Sequence, residues 1–159
     1  MRLVPRPAVL FVALMSVVLP LTLTMAEAQQ PSLPAGTIQV PAGTGTWIDA
    51  PPTLPAGTRM MLLEGHPREK GFFTMRLRLP AGSRIQPHWH PSEERVTILS
   101  GLARVGFGDT FDEQRMESFG PGSFYLNPAK SHHYVWIVEE TEMQLTGAGP
   151  WELHPLQDK

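Results

Sequence analysis

The sequence predicts an all-β domain made of short strands joined by tight turns, and three features carry that expectation. Glycine and proline number 14 and 17 in 159 residues, about a fifth of the chain against the usual ~12%, and neither residue suits a helix interior. Apolar and polar residues alternate singly along several stretches after Arg59, the period of a strand with one buried face. No stretch of the mature chain offers about twelve residues of helical periodicity. With 42% apolar residues, the chain is too hydrophobic for low-complexity disorder.

Charge and cysteine content narrow the partners. Thirteen Lys and Arg oppose 15 Asp and Glu, a formal charge of −2 with no basic run, which excludes nucleic acid or an anionic membrane surface as partner. The chain has no cysteine, so it has neither a disulfide framework nor a cysteine-ligated zinc or iron–sulfur site. Burial or a metal must stabilise it.

Arg2 and Arg6 precede an apolar stretch from Ala8 to Met25, and Ala26-Glu27-Ala28 follows as a small-x-small exit. This is the layout of a secretory signal peptide over 1–28, with cleavage expected after Ala28. An uncleaved anchor is the rival reading, but the stretch is at the short limit for spanning and Pro20 interrupts it. The expected product is exported, periplasmic or secreted, without stable membrane association.

Residues 29–58 read as a Pro/Gly/Thr-rich N-terminal segment, partly strand, ahead of a barrel domain over 59–159. Leu33–Thr37, Val40–Thr44 and Leu54–Thr58 each read apolar-Pro-Ala-Gly-Thr, and Leu79–Ser83 is a near copy. Their irregular spacing excludes a solenoid period. The motif is instead a reusable turn, since Pro presets φ and Gly accepts positive φ.

The strands follow in order. Phe73, Met75, Leu77 and Leu79 alternate with Thr74, Arg76 and Arg78; Val96 and Ile98 with Arg95 and Thr97; Ala103, Val105 and Phe107 with Arg104 and Gly106. Residues 123–127, 134–138 and 141–146 read as further strands. The polar segment from Gly108 to Gly122 has room for one helical turn. Its acidic part, 109–117, is expected to be a solvated loop, with a lid over the barrel mouth as the alternative.

The histidines carry the chemistry. His88 and His90 are two apart, so on a strand both imidazoles share a face, as two ligands of one metal ion must. A carboxylate from the next strand would complete a facial set. Glu94 shares its face with Val96 and Ile98, whereas Glu93 shares its face with Arg95 and Thr97. A carboxylate among aliphatics needs a strong partner, so Glu94 is the candidate ligand and Glu93 a surface charge. By the same parity His133 groups with Val135 and Ile137, and His132 with Tyr134 and Trp136; His133 is the candidate fourth ligand. Gln86 shares parity with His88 and is a candidate for orienting a bound group. Tyr125 and Asn127 lie on the strand entering this second window. His66 and His154, each beside a proline, read as surface residues.

These windows resemble the cupin superfamily. Gly82, His88, His90, Glu94 and Gly101 match the spacing of its first motif, and Gly122, Pro128 and His133 match much of its second. Two positions depart: Lys130 stands where the pattern has Gly, and Ile137 where it has Asn. The likeness covers about residues 59–150, and the stretch looks like small exported bacterial single-domain cupins. It implies a jelly-roll β-barrel with one divalent transition metal held by His88, His90, Glu94 and His133.

Three neutral imidazoles and a carboxylate suit Fe, Mn, Ni, Cu or Zn, without selecting one. The resulting expectation is a metalloenzyme acting on a small oxygen-bearing organic molecule, by dioxygenase-like or Lewis-acid chemistry. The alternative is a non-catalytic metal-dependent module for a small ligand; a purely structural metal is a third reading. No general base beyond the ligands is evident. Tyr134, Trp136 and Val138 make a strand apolar on both faces, which must be covered outside as well; segment 37–50 or a second subunit is expected there, the latter giving a homodimer.

Overall fold

The computed structural model describes residues 33–156; the expected leader lies outside the described residues. One unit of the chain ends at Ala35, and the compact unit from Gly36 onward holds the strands described below. They are β1 (Ile48–Asp49), β2 (Arg59–Glu64), β3 (Gly71–Leu79), β4 (Arg84–Trp89), β5 (Glu94–Ser100), β6 (Ala103–Phe107), β7 (Glu117–Phe119), β8 (Phe124–Asn127), β9 (His133–Ile137), β10 (Thr141–Gly149) and β11 (His154–Pro155). The described residues hold one short 3₁₀ turn, Glu113–Arg115, and no α-helix; no helix there is long and apolar enough to cross a membrane.

The strands form two antiparallel sheets, ordered β1-β2-β3-β10-β5-β8 and β11-β4-β9-β6-β7. From β3 onward the chain passes from one sheet to the other at almost every connection, the alternation of a double-sheet jelly roll. The core lies between them: Phe73, Met75, Leu77 and Leu79 from β3, Val96 and Ile98 from β5, and Met143 and Leu145 from β10 face Val105, Val135 and Ile137. Every one belongs to the apolar half of an alternating stretch, so strand periodicity alone selects them. Leu54 joins this core from ahead of β2, and Ile48 pairs with Met60, so residues 48–58 pack with the domain expected to begin at 59.

The repeated Pro-Ala-Gly motif is a turn at each described copy. Gly43, Gly57 and Gly82 have φ of 77°, 81° and 80°, and Thr44, Thr58 and Ser83 donate their N–H to the carbonyls of Pro41, Pro55 and Pro80. Positive φ at the third turn residue is the glycine requirement of a type II turn.

The outer face of β9 is covered by the chain itself. Tyr134 is fully buried, with Phe111 at 5.1 Å between ring centroids and its hydroxyl donating to the Asp112 carbonyl at 3.2 Å. Arg84 and Arg104 lie over the Trp136 ring at 5.2 and 5.6 Å, and both are tied to Glu113, by an ion pair at 2.6 Å and a bond to its carbonyl at 2.6 Å. His132 pairs with Asp109 at 2.7 Å. The 109–117 segment is largely exposed, as expected of a solvated loop, but it is tied to the sheet. It clamps the outside of the second sheet, because the aromatic half of β9 needs cover and Phe111 supplies it. That cover was expected from segment 37–50 or a second subunit; for Tyr134 it comes from Phe111 and Asp112 instead.

Candidate metal centre

His88, at the end of β4, pairs across the sheet with His133, the first residue of β9. Glu94 opens β5 opposite Asn127, the last residue of β8. His90 lies in the turn just past β4, where its carbonyl accepts from the Lys130 N–H at 2.8 Å. The five side chains thus come from neighbouring strand ends at one end of the core. All five are buried, at 1–4% exposure.

Nε2 or Nδ1 atoms of His88, His90 and His133 lie within 4.8 Å of one another, close enough for one ion. The hydrogen bonds identify which nitrogens face it. His88 Nδ1 bonds the Gln86 carbonyl at 2.7 Å, His90 Nδ1 the Glu152 carbonyl at 2.7 Å, and His133 Nδ1 the Ser131 carbonyl at 3.1 Å. A carbonyl only accepts, so each Nδ1 carries the hydrogen and each Nε2 presents a lone pair. This outer hydrogen bond is the device that orients metal-ligating histidines.

Protonation is suppressed as well. Burial and then the neighbouring His133 push His88 down to about 3, with the Gln86 bond opposing and His90 adding a smaller push. His133 is lowered too, chiefly by burial, with the Ser131 bond and Glu94 opposing. Neutral imidazole is the form that binds metal. Asn127 Oδ1 is buried without a partner, while its Nδ2 donates to Glu94 at 2.9 Å and lies 3.0 Å from His133 Nε2. With its Nδ1 protonated, His133 Nε2 accepts from this amide N–H, which an ion bound there would displace.

Glu94 adjoins the histidines: one oxygen is 3.7 Å from His90 Nε2 and accepts from Asn127, and the other accepts from the Trp151 indole N–H at 3.0 Å. Parity sorted the neighbours as observed. Glu93 points outward and pairs with Arg95 at 2.7 Å, and His132 faces away from His133. Gln86 is a correction. Two residues of β4, Gln86 and Pro87, against one of β9, Tyr134, lie between the Ile85–Val135 and His88–His133 pairs. This bulge shifts the parity, so Gln86 is exposed and serves the site through its carbonyl alone. Tyr125 is buried and lines the small cavity of about 30 Å³ beside the histidines. Burial and then Glu94 hold its phenol well above its usual value.

Trp151 and Glu152 were missed by sequence reasoning. Trp151 stacks on His90 at 5.0 Å and holds Glu94, and Glu152 acts through its carbonyl; the lone tryptophan after Gly147–Pro150 was the available signal. His66 and His154, expected at the surface, are half-buried; His154 stacks on Trp89 at 4.2 Å, and both line a larger cavity. Lys130 has φ of 61°, so it occupies the left-handed conformation that glycine accepts more easily.

A two-sheet, all-β domain with a buried three-histidine cluster at one end of the core defines the cupin class. The family model of the ChrR Cupin-like domain matches residues 36–152, and the chain belongs to that family. No curated protein matches. Among solved structures, the polyketide cyclase RemF from Streptomyces resistomycificus is similar at 16% identity and a TM-score of 0.61, over 77% of this chain and 87% of that one. An acetylacetone dioxygenase from Acinetobacter johnsonii is similar at 18% and 0.59, over 84% and 86%. An RmlC-like cupin from Shewanella frigidimarina is similar at 11% and 0.53, over 75% and 91%. At these identities the likeness is one of fold.

Proposed function

We propose that the protein is an exported cupin that binds one divalent transition metal through His88, His90 and His133, with Glu94 as fourth ligand. In this reading it is a metalloenzyme for a small oxygen-bearing organic molecule. The observation that carries it is the set of three buried imidazoles lying within 4.8 Å of one another, whose Nδ1–H groups are spent on carbonyls so that each Nε2 is an acceptor, that of His133 held by the Asn127 amide. A bound divalent ion would supply Lewis-acid polarisation of a substrate oxygen, or redox chemistry if the metal is redox-active. The chain's own part is to keep the imidazoles neutral and the ligands oriented, and to exclude water with the surrounding apolar residues. The fold-level likeness to a dioxygenase and a cyclase is compatible with more than one reaction.

A non-catalytic binding module is the second reading, favoured by Tyr125. Its phenol stays protonated at neutral pH, so it can donate a hydrogen bond but not serve as base, and the other polar groups at the site are ligands or their supports.

Metal analysis of protein from its native compartment, then oxygen uptake and product screening with catechol-, flavonol- and sugar-like compounds, test the proposal. A folded His133→Ala variant that loses metal and turnover together is the expected result. Metal-bound protein that binds compounds but converts none selects the binding module, and protein that takes up no metal ends both readings. Export is tested by the N-terminus of the same sample, expected at Gln29.

A further inference from the structure

The cavity beside the histidines is small, about 30 Å³, room for a water-sized group. A second cavity of about 780 Å³ opens between the β1 turn, the His66–Arg68 loop and the strap from Pro150 to His154, and this is the volume of a small-molecule site. Leu54, Trp151 and Leu153 line both cavities, so these three side chains form the wall between them. Trp151 touches the candidate metal ligands from that wall, stacked on His90 and bonded to Glu94.

The charges lining the outer cavity are unequal in their commitments. Asp49 pairs with Arg59 at 3.4 Å, and Glu152 pairs with His154 at 2.8 Å. The exposed Arg68 guanidinium has no partner among the described residues; only its backbone N–H is engaged, donating to His66 Nδ1 at 3.2 Å. Because that nitrogen accepts, the hydrogen of a neutral His66 ring sits on Nε2, a second donor without a partner. Both acids have a partner within the protein and two donors are left over, beside an apolar wall of Leu54, Met60, Trp151 and Leu153.

We propose that this outer cavity binds a small organic carboxylate with an apolar body, held by Arg68 and His66 and laid against the Trp151 wall beside the metal centre. A guanidinium fork matches a carboxylate in two parallel bonds. One guanidinium suits a monoanion, and the apolar wall offers nothing to the remaining oxygens of a phosphate. The proposal rests on the metal reading only for the identity of what lies behind Trp151.

The test titrates the purified protein with benzoate and with its neutral counterpart benzamide, by calorimetry and by tryptophan fluorescence. Cobalt(II) absorption is measured on the same samples. Benzoate should bind roughly tenfold tighter than benzamide, the worth of one charge-assisted pair, and Arg68→Gln should erase the difference. In Trp151→Phe, checked for fold by circular dichroism, the fluorescence response to benzoate should vanish while calorimetric binding persists. Equal affinities, no binding of either compound, an unaltered preference in Arg68→Gln, or a fluorescence response that survives in Trp151→Phe would each overturn the assignment. Cobalt binding without benzoate binding leaves the metal reading standing and removes the carboxylate site; benzoate binding without cobalt does the reverse.

Discussion

Acidifying the protein after metal has been stripped with a chelator should destabilise it well above the pH at which carboxylates begin to titrate. In the unfolded chain His88 takes a proton near its ordinary value of 6.5, and in the folded chain burial and its two histidine neighbours delay this to about 3. Between those values the unfolded state binds more protons, so stability is intact above the upper value and falls as pH falls through the window. From neutral pH to about pH 5, His88 alone should remove about 2 kcal/mol, from roughly 1.4 kcal/mol per pH unit inside the window. His133, shifted the same way, adds to the loss. Urea denaturation is the assay. With a slope of roughly 2 kcal/mol per molar, the midpoint should drop by about 1 M. Carboxylates contribute to the same fall, so the reading is the difference between wild type and His88→Gln, which should narrow by about 2 kcal/mol over that interval. A difference that stays constant would refute the claim that His88 is held neutral by burial.

Other outcomes follow from the same structure. A divalent metal at about a hundredfold over its Kd should stabilise the chain by about 2.7 kcal/mol, seen as a rise in Tm on scanning calorimetry; the rise should be absent in His133→Ala. Gly106→Ala should cost about 1–3 kcal/mol, because a methyl there would run into the ring of Tyr134; chemical denaturation measures it, and an unchanged midpoint would mean that the ring is not seated on Gly106. Lys130→Gly should be neutral or stabilising by up to about 1 kcal/mol, since relief of the left-handed backbone outweighs the added chain entropy; a clear loss of stability would contradict the φ of 61° at Lys130.

Much of the site was legible in the sequence because strand parity is a local property. Glu94 separated from Glu93, and His133 from His132, merely by which aliphatic neighbours each alternates with. Parity failed at Gln86 because a bulge between Ile85 and His88 adds a residue to one strand and not to its partner. The spacing of His88 and His90 does not reveal that extra residue. Asn127 was noticed for its position, but its bonds to Glu94 and His133 arise from the register of β5 against β8.

By itself the sequence determined the all-β class, the turns at Pro-Ala-Gly, the apolar face of each strand and the identity of the candidate ligands. All of these follow from periods of two and from residue chemistry within a few positions. Only the tertiary structure decided what covers Tyr134, what holds His90 and Glu94, and what stands between the site and the larger cavity. The answers are Phe111, the Glu152 carbonyl with the Trp151 indole, and the Leu54–Trp151–Leu153 wall. The Phe111–Tyr134, Trp151–Glu94 and Glu152–His90 contacts join residues 23, 57 and 62 positions apart in the chain, and no local periodicity encodes which distant segment the closing of two sheets will bring against a given face.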